Sequence, residues 1–377
     1  MSGIYIHIPF CKQACHYCDF HFSTSMGKKE AMLAAIKREL ELRKKEFVND
    51  EVATIYFGGG TPSVLETEEI NTLIETVYAH YTVSKQPEIT LEANPDDLSL
   101  EKIMAIAQSK VNRLSIGVQS FFEEDLKLMN RAHTSTMALQ SIKDAQRYFD
   151  NISIDLIYGM PNMSLERWQQ NMQYALDLNV PHISSYALTV EPKTALHSFI
   201  KKGVMAPLND ELAAAHFETL VTTLETAGFV QYEISNFGKP NYFSKNNTAY
   251  WLGKKYIGVG PSAHSFSGET RSWNINSNPK YIAALQQDQL PAETETLSLS
   301  DRYNEYMMTG LRTVWGVSLI RVKNEFGSKY YDYLLQQIKP HMAKKRLLID
   351  KETLLVTKEG KFLSDGIASD LFMLNLE

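Results

Sequence analysis

The stretch Ile4-Tyr5-Ile6-His7-Ile8-Pro9-Phe10-Cys11-Lys12-Gln13-Ala14-Cys15-His16-Tyr17-Cys18-Asp19-Phe20 runs from an apolar segment straight into a loop that carries every cysteine of the 377-residue chain. Isoleucine at 4, 6 and 8 alternates with Tyr5 and His7, which is the period of a strand. Three thiols in eight residues are ligands or a redox centre rather than core filling, and the odd count argues against a closed disulfide framework. Their spacing lets one short loop wrap a face of a compact iron–sulfur cluster, for which thiolates are the usual ligands. A cubane cluster has four irons, so three protein ligands leave one iron free for a small molecule. Structural zinc is the alternative; it wants four ligands, and His16 or His21 would have to complete the set. A redox pair of Cys15 and Cys18 would leave Cys11 unexplained.

Working outward, β-rich runs at 4–9, 54–57, 88–93, 113–118, 153–158 and 182–188 alternate with amphipathic helical runs at 28–47, 66–80, 99–108, 123–130, 135–148 and 165–178. That alternation predicts βαβ units and a parallel sheet. The unusual residues gather just after the strands: the cysteines, Gly58-Gly59-Gly60, Asn94-Pro95, Gln119-Ser120 and Gly159-Met160-Pro161. Chemistry at the C-terminal ends of parallel strands suits a TIM-type barrel, and six strands predict a partial (β/α)6 barrel rather than a closed one.

From about residue 205 the pattern changes. A helix is expected at 210–227, with Gly228 as its C-cap. The stretch 238–297 is rich in Asn, Gly and Ser and shows no regular period. Helical runs at 301–312, 319–325 and 330–338, then a hairpin around Lys351-Glu352, resemble a winged-helix domain. The expected organisation is an α/β partial barrel over 1–240, an irregular, pocket-closing connection over 241–297 and a smaller, mainly helical, winged-helix-like domain over 298–377.

An apolar content of 44% and a charged content of 22% are ordinary for a soluble globular protein. The net charge of −6 argues against nucleic acid as a partner, so the wing is read as a lid or cap. No run of 18 apolar residues is present to span a membrane. The N-terminus lacks a signal-peptide pattern, and clustered thiols without a disulfide pattern fit a reducing cytoplasm.

Phe57-Gly58-Gly59-Gly60-Thr61-Pro62 lies between a strand and a helix, where glycines let a ligand approach the backbone, and it lacks the Gly-Lys-Ser/Thr ending of a phosphate loop. Glu92, Gln119 and Asp155 are polar residues at the ends of apolar strands, which is costly unless they are paired. On successive strands they point to a lined polar site. Arg131 ends a helical run and can grip a carboxylate bidentately. The segment 257–264 contains G-x-G-x-x-A, but Pro261 interrupts it and no βαβ unit follows, so it is not a dinucleotide fingerprint.

The string Y-I-H-I-P-F-C-x3-C-x-Y-C-D-F resembles the cluster loop of radical S-adenosylmethionine (SAM) proteins. Within them it resembles the oxygen-independent coproporphyrinogen III dehydrogenase-like family, and the likeness runs along nearly the whole chain. The resemblance implies a 4Fe-4S cluster on Cys11, Cys15 and Cys18, and bound SAM. Positions matching the family's SAM contacts are Tyr5, Tyr17, Gly59, Gly60, Thr61, Glu92, Gln119, Arg131, Asp155 and Ala187. The dehydrogenases carry a fourth cysteine where this chain has Phe20, and a long extension where ten residues precede Cys11. Both differences favour the haem-chaperone branch, whose members bind haem and pass it to haem-accepting proteins. Conversion of coproporphyrinogen III to protoporphyrinogen IX is the alternative. Where those chaperones carry H-N-x-x-Y-W, this chain reads Asn246-Asn247-Thr248-Ala249-Tyr250-Trp251, and an amide is a poor haem ligand beside an imidazole. Haem would then be held by stacking on Tyr250 and Trp251, or by another residue such as His264.

Overall fold

The computed structural model describes residues 2–374. In β1 (Ser2–Ile8), Ile4, Ile6 and Ile8 are fully buried in the main core, which leaves Tyr5 and His7 on the opposite face. Five strands follow in parallel order: β2 (Val52–Gly59), β3 (Val83–Ala93), β4 (Arg113–Gln119), β5 (Ile152–Tyr158) and β6 (His182–Ala187). The crossovers carry α1 (Lys29–Arg43), α2 (Thr67–His80), α3 (Leu100–Ala107), α4 (Glu123–Leu128), α5 (Ser135–Ala145) and α6 (Leu165–Asp177). Ser99, Thr134 and Ser164 start three of these helices by accepting a backbone N–H on the side-chain oxygen. The six parallel strands form the expected open (β/α)6 barrel, because β1 and β6 do not pair with each other but each continue into further strands.

After β6, α7 (Ala195–Lys201) and α8 (Asp210–Thr226) lead to β7 (Val230–Glu233) and β8 (Asn236–Gly238), which extend that edge antiparallel. At the other edge, α9 (Lys245–Trp251) precedes β9 (Tyr256–Val259), which runs parallel to β1. Then β10 (His264–Phe266) and β11 (Thr270–Asn274), with β12 (Ala292–Thr296) after α10 (Asn278–Leu285), continue antiparallel. The stretch expected to be irregular, 238–297, is therefore an ordered extension of the sheet.

What orders it is a buried ion pair in α1. Arg43 donates from Nη1 to Glu39 Oε1 at 3.1 Å and to the Gly258 carbonyl at 2.8 Å, and from Nη2 to Ser265 Oγ at 3.1 Å. Glu39 also accepts from Asn274 Nδ2 at 2.8 Å, from the Gly260 N–H at 2.9 Å and from the Tyr281 hydroxyl at 2.5 Å. Each charge is thus paired and hydrogen-bonded, as burial requires.

The C-terminal unit has its own core of Tyr303, Met307, Leu311, Leu334, Ile338 and Leu354. It consists of α11 (Leu299–Leu311), α12 (Leu319–Arg321), α13 (Ser328–Ala343) and α14 (Ser364–Asp370) around β13 (Val317–Ser318), β14 (Leu347–Asp350) and β15 (Thr353–Val356). The β14–β15 hairpin turns on Lys351 and Glu352, both at positive φ. The helical run expected at 319–325 is instead α12 passing into a π-helical turn over Val322–Phe326. Among the described residues, no helix is long and apolar enough to cross a membrane.

Candidate cluster and cofactor site

The cysteine loop leaves β1 and is closed at its base by backbone bonds. The Cys11 N–H donates to the Ser23 carbonyl (3.1 Å), and the Ser23 N–H donates to the Pro9 carbonyl (2.9 Å). Its tip is tied to the end of α4: the His16 N–H donates to the Met129 carbonyl (3.1 Å), Asn130 Nδ2 to the Ala14 carbonyl (2.7 Å) and Gln13 Nε2 to the Asn130 carbonyl (2.8 Å). These bonds fix the loop without using the thiols. Cys11 is buried, and Cys15 and Cys18 are half-buried. Burial pushes the Cys18 thiol up to about 12 and raises that of Cys11 as well.

Two side-chain donors face the sulfurs among the described residues. Thr61 Oγ1 donates to Cys11 Sγ at 3.3 Å, and Arg131 Nη1 donates to Cys15 Sγ at 3.4 Å. Arg131 Nη2 donates in addition to Asn94 Oδ1 (2.5 Å) and the Gly117 carbonyl (2.8 Å), while Asn94 Nδ2 donates to Thr61 Oγ1 (3.2 Å). One chain of hydrogen bonds thus links the loops after β1, β2 and β3 to the end of β4. Asn94 joins Arg131 to Thr61 in this chain of bonds; the sequence marked it only as part of the Asn-Pro dipeptide at a strand end. Lys12 pairs with Asp97 and Asp96 and adds a tie between the cysteine loop and the loop after β3.

Two glycines sit at close approaches, one to backbone and one to side-chain ends. A Cβ on Gly60 would lie 2.6 Å from the Phe10 carbonyl oxygen, so the glycine loop seats the cysteine loop rather than leaving free space. A Cβ on Gly117 would lie 2.9 Å from Gln119 Nε2 and 3.3 Å from Arg131 Nη2. Gln119 itself is buried at φ 68, beside a register shift in β4. A left-handed non-glycine residue costs about 1–2 kcal/mol, and such strain collects at functional sites.

The lumen face of the barrel carries the carboxylates. The Tyr56 hydroxyl donates to Glu92 Oε1 at 2.8 Å, and the Tyr5 ring stacks on Tyr56 at 6.1 Å between centroids. Burial pushes Glu92 up to about 7, although the Tyr56 hydrogen bond works against it. Burial likewise raises Asp155 to about 6, with the Ser184 and Ser115 hydroxyls and the Arg113 and Arg131 charges opposing. Tyr17 lies against Arg131, Cys15 and Cys18, and burial raises its phenol. Gly59 ends β2, next to the turn that seats the cysteine loop, and Ala187 ends β6 beside Tyr158.

Both carboxyl values lie above those of an unfolded chain, about 4. Protonation therefore stabilises the ligand-free fold: that contribution is complete below about pH 4 and is lost as pH rises through 6 and 7. Glu92→Gln, which keeps an oxygen for Tyr56, is expected to flatten this loss. Thermal midpoints of the ligand-free proteins across this range check it: wild type should fall relative to the variant as pH rises, and parallel profiles would refute the assignment.

The residues considered for haem divide. Asn246 is 2% exposed; its side-chain oxygen accepts from Thr54 Oγ1 at 2.9 Å, and its backbone N–H donates to Glu88 Oε1 at 3.1 Å. It anchors α9 and does not present its amide to the open lumen. Tyr250 is half-buried with its ring 4.4 Å from that of Tyr256, and Trp251 lies under the Arg312 guanidinium at 5.0 Å. His264 is exposed on β10, its ring 6.3 Å from that of Trp273.

The donor set fits an iron–sulfur cluster: three thiols on one loop, with a hydroxyl and a guanidinium directed at two of the sulfurs to stabilise negative charge. Among the described residues, no three His, Cys, Asp or Glu side chains gather as ligands of one ion, and thiols that each take a different iron have no need to.

Residues 5–175 match the radical SAM superfamily, and residues 297–363 match the HemN C-terminal domain. The chain is 35% identical over 373 residues to the heme chaperone HemW of Bacillus subtilis (strain 168), covering 97% of this chain and 98% of that one. It is 32% identical over 368 residues to the heme chaperone HemW of Lactococcus lactis subsp. lactis (strain IL1403), covering 97% and 96%. Its fold is similar to that of the radical SAM enzyme coproporphyrinogen III oxidase (HemN) from Escherichia coli, with a TM-score of 0.85 and 22% identity over 99% of this chain and 90% of that one. This chain belongs to the HemW- and HemN-like family of radical SAM proteins, a superfamily whose cysteine loop implies a 4Fe-4S cluster and SAM.

Proposed function

We propose that this protein is a cytoplasmic radical SAM haem chaperone, which takes up haem on the open side of its barrel and passes it to haem-requiring proteins. The observation that carries the reading is an aromatic face on the sheet extension. Tyr256 pairs with Gly3 of β1 and with Phe266 of β10, and His264 pairs with Trp273 of β11. Cross-strand partners share a face, so Tyr256, Phe266, His264 and Trp273 lie on the lumen side, continuous with Tyr5 and Tyr56. A planar macrocycle with two apolar faces suits such a surface.

Phe20 supports the chaperone over the dehydrogenase. It stands where the dehydrogenases carry a fourth cysteine, and at 67% exposed it leaves no thiol beside the cluster loop. Cys11, Cys15 and Cys18 would hold the cluster, and Tyr5, Thr61, Glu92, Arg131 and Asp155 would line the SAM pocket. When bound, the cluster supplies an electron and an open iron. The chain's own residues do the rest: Thr61 and Arg131 offset charge on the sulfurs, while Glu92 and Asp155 are poised to lose protons when a cation binds beside them.

The test is a split assay on the anaerobically reconstituted protein, with haem titration in one arm and coproporphyrinogen III turnover with SAM and a reductant in the other. Binding without turnover is the expected result.

A further inference from the structure

Haem iron takes a side-chain donor well, and Asn246 is buried against Thr54 and does not offer one. Three histidines lie on the lumen face of the sheet: His7 on β1, His182 on β6 and His264 on β10. His7 is committed on both ring nitrogens, Nε2 to the His21 carbonyl at 2.8 Å and Nδ1 to the Tyr5 hydroxyl at 3.4 Å. His182 is likewise committed, Nδ1 to Ser153 Oγ at 2.7 Å and Nε2 to the Tyr232 hydroxyl at 2.8 Å, and it is fully buried. His264 differs on every count. It is exposed, and neither ring nitrogen has a hydrogen-bond partner among the described residues.

We infer that His264 is the axial ligand of haem iron in this protein, with Trp273 beside it as the ring that positions the imidazole. The inference rests on the haem-binding reading above.

The placement follows from register. Tyr5 of β1 pairs with Gly258 of β9, and β10 folds back antiparallel on β9 with Phe266 opposite Tyr256. Two residues on, this brings His264 beside Gly258, two strands from Tyr5, or about 10 Å across the sheet. Gly258 permits the approach, because a Cβ there would collide with the His264 carbonyl. The backbone of this turn is fixed from behind by Arg43, which donates to the Gly258 carbonyl and to Ser265 Oγ. The imidazole is therefore presented from a braced strand, as a ligand site requires.

The surroundings suit a porphyrin. The His264 ring is flanked by Trp273 at an interplanar angle of 34°, and the row continues through Phe266 and Tyr256, whose rings are 6.4 Å apart. An apolar plate seated here would contact aromatic rings while its metal faced an imidazole, the neutral nitrogen donor that haem iron takes well. With the Asn246 amide buried against Thr54 and the His264 imidazole exposed and unpartnered, the nitrogen donor available to haem lies on β10.

The experiment is haem titration of the full-length, cluster-reconstituted protein, read by Soret absorption and electron paramagnetic resonance. His264→Ala is expected to lose the nitrogen-ligand signature and to weaken haem affinity about tenfold or more, and added imidazole should restore the signature. His264→Met should keep binding but shift the spectrum to that of a thioether ligand. His197→Ala, which removes an exposed imidazole on α7, should leave the wild-type spectrum. A His264→Ala variant with wild-type spectrum and affinity overturns the assignment and leaves the haem reading standing. A wild-type protein that binds no haem overturns both.

Discussion

Cys15→Ala is expected to abolish the visible charge-transfer absorption of the anaerobically reconstituted protein and to reduce its iron and sulfide to background. The chain has three thiols and no fourth to recruit, so the variant keeps two ligands for four irons. The loss should be local. The cysteine loop is held by backbone bonds to Ser23 and Met129 and by side-chain bonds of Asn130 and Gln13, none of which involves the Cys15 side chain. Unloaded wild type and variant should therefore melt together, while the loaded wild type melts higher, because anything that binds only the folded state stabilises it. A variant that keeps the absorption would show that Cys15 is not a ligand. Stoichiometric zinc in the wild type, without iron or sulfide, would return the loop to the structural-zinc reading.

The second large effect is expected at Arg131. Its guanidinium donates to Cys15 Sγ, Asn94 Oδ1 and the Gly117 carbonyl, and so links a cluster ligand to two other strand ends. Arg131→Ala strands the Gly117 carbonyl, on a buried residue, at about 1–3 kcal/mol, leaves the half-buried Asn94 oxygen without its donor, and removes a positive charge beside the sulfurs. Destabilisation alone would be uninformative, so the decisive readout is the cluster's reduction potential. Loss of a cation and a donor to sulfur favours the oxidised, less negative cluster, so the midpoint should fall. A lost stabilisation of about 1.4 kcal/mol corresponds to about 60 mV for a one-electron couple. Arg131→Lys keeps the charge without the fork and should fall between. An unchanged potential in Arg131→Ala would show that the guanidinium only braces the loops.

The barrel was legible because its signals are local. Isoleucines at 4, 6 and 8 declare a strand, and glycines and lone polar residues punctuate the strand ends. The sheet extension was not legible, because β10 is three residues long and β9 four, too short to show a period. Their order comes from Arg43 and Glu39, more than 200 residues earlier in the chain. Asn94 was missed for the same reason, since its role exists only through Arg131 and Thr61 on neighbouring strand ends. Asn246 was legible as a departure from a familiar string, but its burial against Thr54 was not. Neither was the free imidazole of His264, which depends on the fold of β10 onto β9.

The most direct test of the account is the split assay on one anaerobic, cluster-loaded preparation: haem titration by difference spectroscopy beside coproporphyrinogen III turnover with SAM and a reductant. Saturable haem binding at one site, with no protoporphyrinogen IX formed, is the predicted result. Robust turnover, or no haem binding at all, would contradict it.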